Sequence, residues 1–382
     1  MSRIVFYIVL CVLAFVAFRT HKEAPPPFFQ EVKMRYASEV PMFIKTNLPS
    51  ITKAPSVHSA SIAHLDDRRM IAVWFGGSGE GRPDVEIYKS IYTTSSNLWS
   101  EPQSILTRKK LKEDSHQFIK KLGNPVIYKS ANGDLHLFVV GVTFGGWATS
   151  KIYHYISKDD ANSFQYAGLL ELGGFMNLSH LVRSNPVSLE DGGFYLPVYH
   201  ELADKYPLIV RFDREGRMLY SQKLTALKGQ LQPSIVALDS KQCLVTFRSY
   251  RSKEMYMQTC QDGGLHWDKP IATNLINEGS SIAMFKMDQD VFLIHNTREK
   301  SPKEARGTLV LSKLVGEKWE KVAILDVAQG ERKKDKSVEV SYPNVLVTGD
   351  TVNVVYTNNR THISHLRFNH RWILDQLKGG QK

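Results

Sequence analysis

The chain has 382 residues, enough for one large domain or two ordinary ones, and 42% apolar with 23% charged residues excludes a disordered polymer. Its 49 Lys and Arg against 38 Asp and Glu leave a formal charge of +11, which either solvates the surface or attracts anionic partners, acidic glycans or an anionic membrane surface. No zinc-finger spacing, RNP-like motif or Lys/Arg block occurs, so nucleic acid is not an expected partner.

The first element in chain order is the unbroken apolar run Ile4 to Phe18 behind Arg3. It is short for a span, which needs roughly 17–25 residues, and matches a long signal-peptide core. No small-x-small cleavage site follows, because Phe15 stands at the −3 position of Ala17. An uncleaved anchor over residues 1–22 is therefore preferred to a cleaved signal, with an exported, extracytoplasmic body: inner-membrane anchored and periplasmic, or secreted if the segment is cut. Pro25-Pro26-Pro27 begins a stiff linker over residues 23–47. Of three cysteines, Cys11 lies in the apolar run, while Cys243 and Cys260 fall on adjacent predicted strands. Two buried free thiols are preferred there to a disulfide. No metal-ligand spacing or cofactor motif is present, so neither is expected.

Six copies of one unit follow over residues 48–376, at intervals of roughly 45–65 residues. Their openings are Val57-His58-Ser59-Ala60, Gly123-Asn124-Pro125, Ser184-Asn185-Pro186, Leu231-Gln232-Pro233, Gly279-Ser280-Ser281 and Ser341-Tyr342-Pro343. Each leads into an apolar strand and an Asp-, Gly- or Asn-rich turn such as Asn132-Gly133-Asp134, a hairpin signal. A second, near-continuously apolar strand comes next (MIAVWFGG, DLHLFVVGV), then an alternating third (VEIYKSIYT) and a short outer fourth. Strands apolar on both faces lie between neighbouring sheets, and alternation marks one face nearer solvent. Four strands repeated six times predict an all-β, six-bladed propeller behind an N-terminal hydrophobic helix, without long amphipathic helices. The last unit lacks an outer strand, which Glu31–Lys45 is placed to supply; residues 377–382 read as a tail.

In such a meander the start of strand one and the end of strand two meet at one rim. His58, Asn124, Asn185, Gln232, Ser280 and Tyr342 then converge with Gly76 to Glu80, His200, Glu201, Arg248, Asn296 and Arg360. Some of these polar starts satisfy backbone groups at the strand end, and the rest face a ligand.

Cys260-Gln261-Asp262-Gly263-Gly264-Leu265-His266-Trp267, after a third strand, is similar to an Asp box, S-x-D-x-G-x-T-W. Ser157 to Phe164, with Asp159, is a weaker copy, Ser312 to Trp319 has Leu314 where Asp belongs, and Trp99 marks a worn one. With six blades, the chain from about Lys53 to Asp375 resembles the sialidase superfamily, and within it the bacterial BNR-repeat proteins named as predicted neuraminidases. The boxes, with Asp262, Gly264 and Trp267, are structural: the Asp caps the turn and the Trp packs between sheets.

The resemblance implies three arginines on a substrate carboxylate, a Tyr nucleophile activated by Glu, and an Asp acid/base. Arg248 matches the second arginine, Arg306 the third, Tyr342 the nucleophile and Asp84 the acid/base, with Glu80 a nearby competitor. Two positions depart from the pattern. His58 stands where the first arginine belongs, leaving Arg183 or Arg360 to complete the clamp. Gln232 stands in place of the activating Glu, leaving Glu339 or Glu201 as base. His58 also permits a second chemistry, proton transfer on a uronate held by Arg248 and Arg306. Each residue has a bland alternative: a hydrogen-bonded structural histidine, inter-blade ion pairs, a packed aromatic and a turn cap at Asp84.

The expectation is a glycosidase, or a uronate-directed lyase, acting on a terminal acidic sugar: sialic acid, a related nonulosonic acid or a uronate. The alternative is a non-catalytic acidic-glycan-binding propeller of surface polysaccharide metabolism. The oligomeric state is not legible in the residues.

Overall fold

Six antiparallel sheets form the blades of a six-bladed β-propeller. The computed structural model describes residues 27–31, 38–174, 176–251, 253–301, 303–330 and 338–379, together with Tyr7. The apolar run Ile4 to Phe18 lies, apart from Tyr7, outside them. No helix among the described residues is long and apolar enough to cross a membrane.

The inner edges of the six blades are Ser56–Asp66, Lys121–Lys129, the broken pair His180–Val182 and Val187–Ser188, Gln230–Ala237, Ala283–Met287 and Val340–Thr348. The second strands, among them Arg69–Gly77 and Leu135–Val142, are buried almost throughout because sheets cover both faces. Adjacent blades share apolar clusters: Ile71 and Val73 pack with Leu137 and Val139, and Phe292 and Ile294 with Val352 and Tyr356. Each such side chain stabilises the ring by about 1.5–3 kcal/mol. The outer strand of the sixth blade is Phe43–Asn47, paired antiparallel with His362–Asn369 in a register that sets Phe43 opposite Phe368.

Inner strands of neighbouring blades are stitched by short polar side chains. Ser61 Oγ accepts from the Ile127 amide (3.2 Å), Asn344 Oδ1 from Ile62 (2.9 Å) and Ser234 Oγ from Met284 (2.9 Å). Four inner strands carry a register shift near their starts, at His58/Ser61, Leu122/Pro125, Leu231/Ser234 and Ser341/Asn344. Ser59 (φ 60°), Gln232 (φ 44°) and Tyr342 (φ 58°) adopt left-handed backbone there. A bulge of this kind re-aims the side chain at the strand end.

The broken inner edge of the third blade divides the channel. Arg183 donates to the carbonyls of Ala60 (3.1 Å), Pro343 (3.0 Å) and Tyr342, reaching the first and sixth blades. Asn185 Nδ2 donates to Val345 O (2.5 Å). Beneath this plug a cavity of about 650 Å³ is lined by Ile62, Ile127, Val187, Ile235 and Val345.

Several features correct or extend the sequence reading. Cys243 and Cys260, expected as free thiols, form a disulfide (S–S 2.13 Å); they are directly opposed across two strands, with Cα atoms 5.0 Å apart. Pro27–Glu31 straps the third and fourth blades: Phe29 is 1% exposed against Tyr195, and its amide donates to Ser240 O (2.7 Å). Gly263 (φ 66°) is required beneath this strap, since a Cβ would lie 1.4 Å from Pro27 O. The described residues also hold two short helices, Arg108–Ser115 and His370–Gly379, the second burying Ile373 near the end of the predicted propeller span. In the weaker Asp box Asp159 caps the Ser163 amide (2.9 Å), whereas Asp262 meets His266 Nδ1 (3.1 Å) and Trp267 Nε1 donates to Gly264 O (2.8 Å).

Candidate functional site

Bulged inner strands bring His58, Gln232 and Tyr342 to the mouth, and strand-two ends bring Arg248 and Arg360. Arg248 Nη1 donates to the Tyr342 hydroxyl at 3.0 Å. The guanidinium carbons of Arg183, Arg306 and Arg248 lie 5.2, 5.4 and 5.9 Å from the Tyr342 ring centroid. Burial by itself raises the Tyr342 phenol, but Arg248 and then Arg306 outweigh it. With a hydrogen bond from Gln232, and against the opposing charge of Glu80, they bring the group below the ordinary phenol range. Arg248 responds in kind: burial opposes its charge, while Tyr342, Tyr199 and Glu201 raise it.

Glu339, 2% exposed, organises the cationic side. Its carboxylate accepts from Arg360 Nε (2.5 Å), Arg306 Nη1 (3.4 Å) and Ser341 Oγ (3.1 Å). Arg360 also pairs with Glu80. Arg360 is raised well above its usual value: burial opposes its charge, but Glu339 and then Glu80 outweigh it. Arg183 is committed to backbone carbonyls; burial lowers it to about 10, so it remains cationic near neutrality.

His58 is 1% exposed, packs its ring tilted by 48° against Tyr342 with centroids 4.1 Å apart and sets Nδ1 2.8 Å from Thr357 Oγ1. Burial, then Arg360, Arg306, Arg183 and Arg248, hold it well below 6.5, so it is neutral. Its Nε2 is buried with no hydrogen-bond partner among the described residues.

The other expected residues divide. Gln232 Nε2 donates to the Tyr199 hydroxyl (3.3 Å), as does Asn124 Nδ2 (3.4 Å), which also holds Val182 O (3.1 Å). Asp84 is exposed and accepts from the amide and hydroxyl of Ser78 (both 2.9 Å); Glu80 is the carboxylate of this loop that reaches the cationic cluster. Asn185 turns to the cavity below the plug, and Asn296 knits Thr308 and Val340 carbonyls (3.0 and 2.7 Å). Glu201 has its carboxyl raised, chiefly by burial and against Arg248 and Lys205, with Glu80 adding to the rise. Tyr199 and Thr357 were missed: Tyr199 precedes His200 at a strand-two end and reads from sequence as ordinary core.

No cluster of three metal-ligating side chains occurs among the described residues. The mouth thus combines a depressed phenol, guanidinium groups and a buried, arginine-paired carboxylate, a set suited to a carboxylate-bearing ligand and to attack by an aromatic oxygen.

The BNR repeat-like domain family matches residues 68–354. No curated protein matches the sequence. Among solved structures, a Hadza microbial sialidase superposes with a TM-score of 0.66 at 11% identity, over 84% of this chain and 66% of its own. A protein of unknown function from Dyadobacter fermentans gives 0.65 at 13% identity, over 85% and 97%. Trypanosoma rangeli sialidase in complex with sialic acid gives 0.60 at 13%, over 90% and 61%. The chain therefore spans less than two thirds of both sialidases and nearly all of the Dyadobacter protein. At these identities the likeness establishes the sialidase fold.

Proposed function

The chain belongs to the BNR repeat-like domain family, and from that premise we propose that it is an exported sialidase-like glycoside hydrolase removing a terminal acidic sugar from a glycan. The observation that carries the reading is the Tyr342 hydroxyl, 3.0 Å from Arg248 Nη1 in a pocket where arginines outweigh burial and depress the phenol. Where the family places a carboxylate base, Gln232 donates a hydrogen bond instead, and arginines do the activating. The Trypanosoma rangeli sialidase that shares the fold holds sialic acid, which supports an acidic sugar here.

In this mechanism Arg248 and Arg306 bind the sugar carboxylate, Arg306 oriented by Glu339. Tyr342 loses its proton to water before attack, and the phenolate oxygen bonds to the anomeric carbon as the bond to the aglycone oxygen breaks. Glu201, whose carboxyl burial shifts toward the protonated form, is the acid that gives a proton to that oxygen. It then takes one from the water that releases the glycosyl group from Tyr342; the freed phenolate regains from solvent the proton it gave up, and the enzyme is as it began. His58 stays neutral and positions the Tyr342 ring. The Cys243–Cys260 disulfide supports an oxidising, extracytoplasmic compartment, in keeping with the apolar N-terminal run as an anchor or signal.

A second reading, a non-catalytic glycan-binding propeller, has one observation in its favour: among the described residues no carboxylate hydrogen-bonds the Tyr342 hydroxyl. Fluorogenic sialosides and uronate-linked analogues separate the two. Turnover is expected, falling by about 10³-fold or more in Tyr342→Phe while the free sugar acid still binds. Arg248→Ala and Arg306→Ala each weaken that binding by about 10- to 100-fold. Unchanged turnover in Tyr342→Phe rejects the nucleophile, and binding without turnover in the native protein establishes the second reading.

A further inference from the structure

A trail of contacts leads from the Tyr342 pocket to an exposed rim over the first and second blades. Arg360 pairs with Glu80; the next residue, Gly81 (φ 76°), lies where a Cβ would be 3.1 Å from Lys121 Nζ. That ammonium sits 4.3 Å from the Trp147 ring centroid. Beyond it Phe118 and Phe144 stack face to face, with centroids 4.4 Å apart and planes within 9°, yet they remain 48% and 68% exposed. A stacked aromatic pair left in water is a ready platform for the apolar face of a sugar ring.

The helix Arg108–Ser115 flanks this platform. Thr107 caps it by accepting from the Lys110 amide (3.1 Å), and Leu111 alone is buried, so its basic residues face solvent. Lys109 and Lys110 are offset by Glu113 (3.8 Å) and Asp114 (3.1 Å). Arg108, Lys112 and Lys120 are exposed and have no ion-pair partner among the described residues.

We propose that this rim is an extended subsite for a polyanionic glycan chain, in which Phe118 and Phe144 stack a sugar beyond the terminal one and Arg108, Lys112 and Lys120 meet acidic groups further along. The inference rests on the mouth being an acidic-sugar site, and it assigns the substrate as a chain bearing several acidic sugars rather than one acidic cap on a neutral glycan.

The test titrates the whole protein with α2,8-linked oligosialic acids and oligogalacturonates of one to eight units, at low and high salt. Affinity is expected to rise about tenfold or more from monomer to hexamer at low salt, and most of that gain disappears at high salt, because exposed charges are screened. The triple variant Arg108→Ala/Lys112→Ala/Lys120→Ala loses the salt-sensitive gain, and Phe118→Ala/Phe144→Ala the salt-resistant remainder, while monomer affinity is unchanged in both. No length dependence in the native protein, or length dependence surviving both variants, overturns the proposal. Equal capture by phosphatidylserine vesicles through the same basic residues also overturns it, in favour of a membrane surface. Oligomers that bind at the rim while no monomer binds in the pocket leave the subsite standing and reject the reading of the mouth.

Discussion

Tyr342 carries its hydroxyl at the cost of an unfavourable backbone: φ is 58° in a residue with a large side chain, a conformation that costs about 1–2 kcal/mol. The bulge at Ser341/Asn344 imposes it and turns the ring toward the arginines. Because arginines, Arg248 first, depress the phenol, the rate should rise with pH as Tyr342 ionises. Arg248→Lys keeps a charge but loses the planar fork, and Arg248→Ala loses both, so the rising limb of kcat/KM moves to higher pH in both variants and furthest in the second. A limb that stays in place in Arg248→Ala would show that another group titrates there. Polar strand starts made His58, Gln232 and Tyr342 legible in the sequence. The division of labour among carboxylates was not: Asp84 and Glu80 are four positions apart in one loop, and only the folded turn shows which one caps Ser78 and which reaches Arg360.

The strands were readable because burial between blades demands continuous apolar runs, and the alternating third strands record one face turned toward solvent. The cross-strand disulfide was not, since it needs the register that sets Cys243 opposite Cys260, and adjacency of strands does not supply register. The two cysteines are 17 positions apart. Closing so short a loop stabilises by about 3 kcal/mol on the chain-entropy account. Cys243→Ser/Cys260→Ser should lower unfolding free energy by about 2–4 kcal/mol in urea while leaving ligand affinity at the mouth intact. Loss of binding alongside stability would mean that the fourth blade transmits the change to Arg248. The strap escaped notice for a similar reason: Phe29 sits in a polar, proline-led stretch and finds its partners only across two blades.

Across the molecule, histidines form the most conspicuous buried titratable set. His58, His136, His154, His180, His295 and His365 are each at most 4% exposed. Burial pushes His136, His180 and His295 down to about 4 and His154 and His365 to about 3, and holds His58 well below normal. Each is neutral in the folded ring and protonated in the unfolded chain once the pH falls below about 6.5. Stability is therefore fully present above that value and lost on acidification, at up to about 1.4 kcal/mol per pH unit per histidine. Melting temperatures from pH 7.5 to 5 should fall steeply, and a flat profile would contradict neutral burial. The ring also carries a timing constraint, because Phe43 must pair with Phe368. At roughly 5–20 residues per second of synthesis the N-terminal strand waits on the order of 20–60 s for its partner. Until the sixth blade emerges the circle stays open, so sealing the ring can only be the last event of assembly, however early the single blades form.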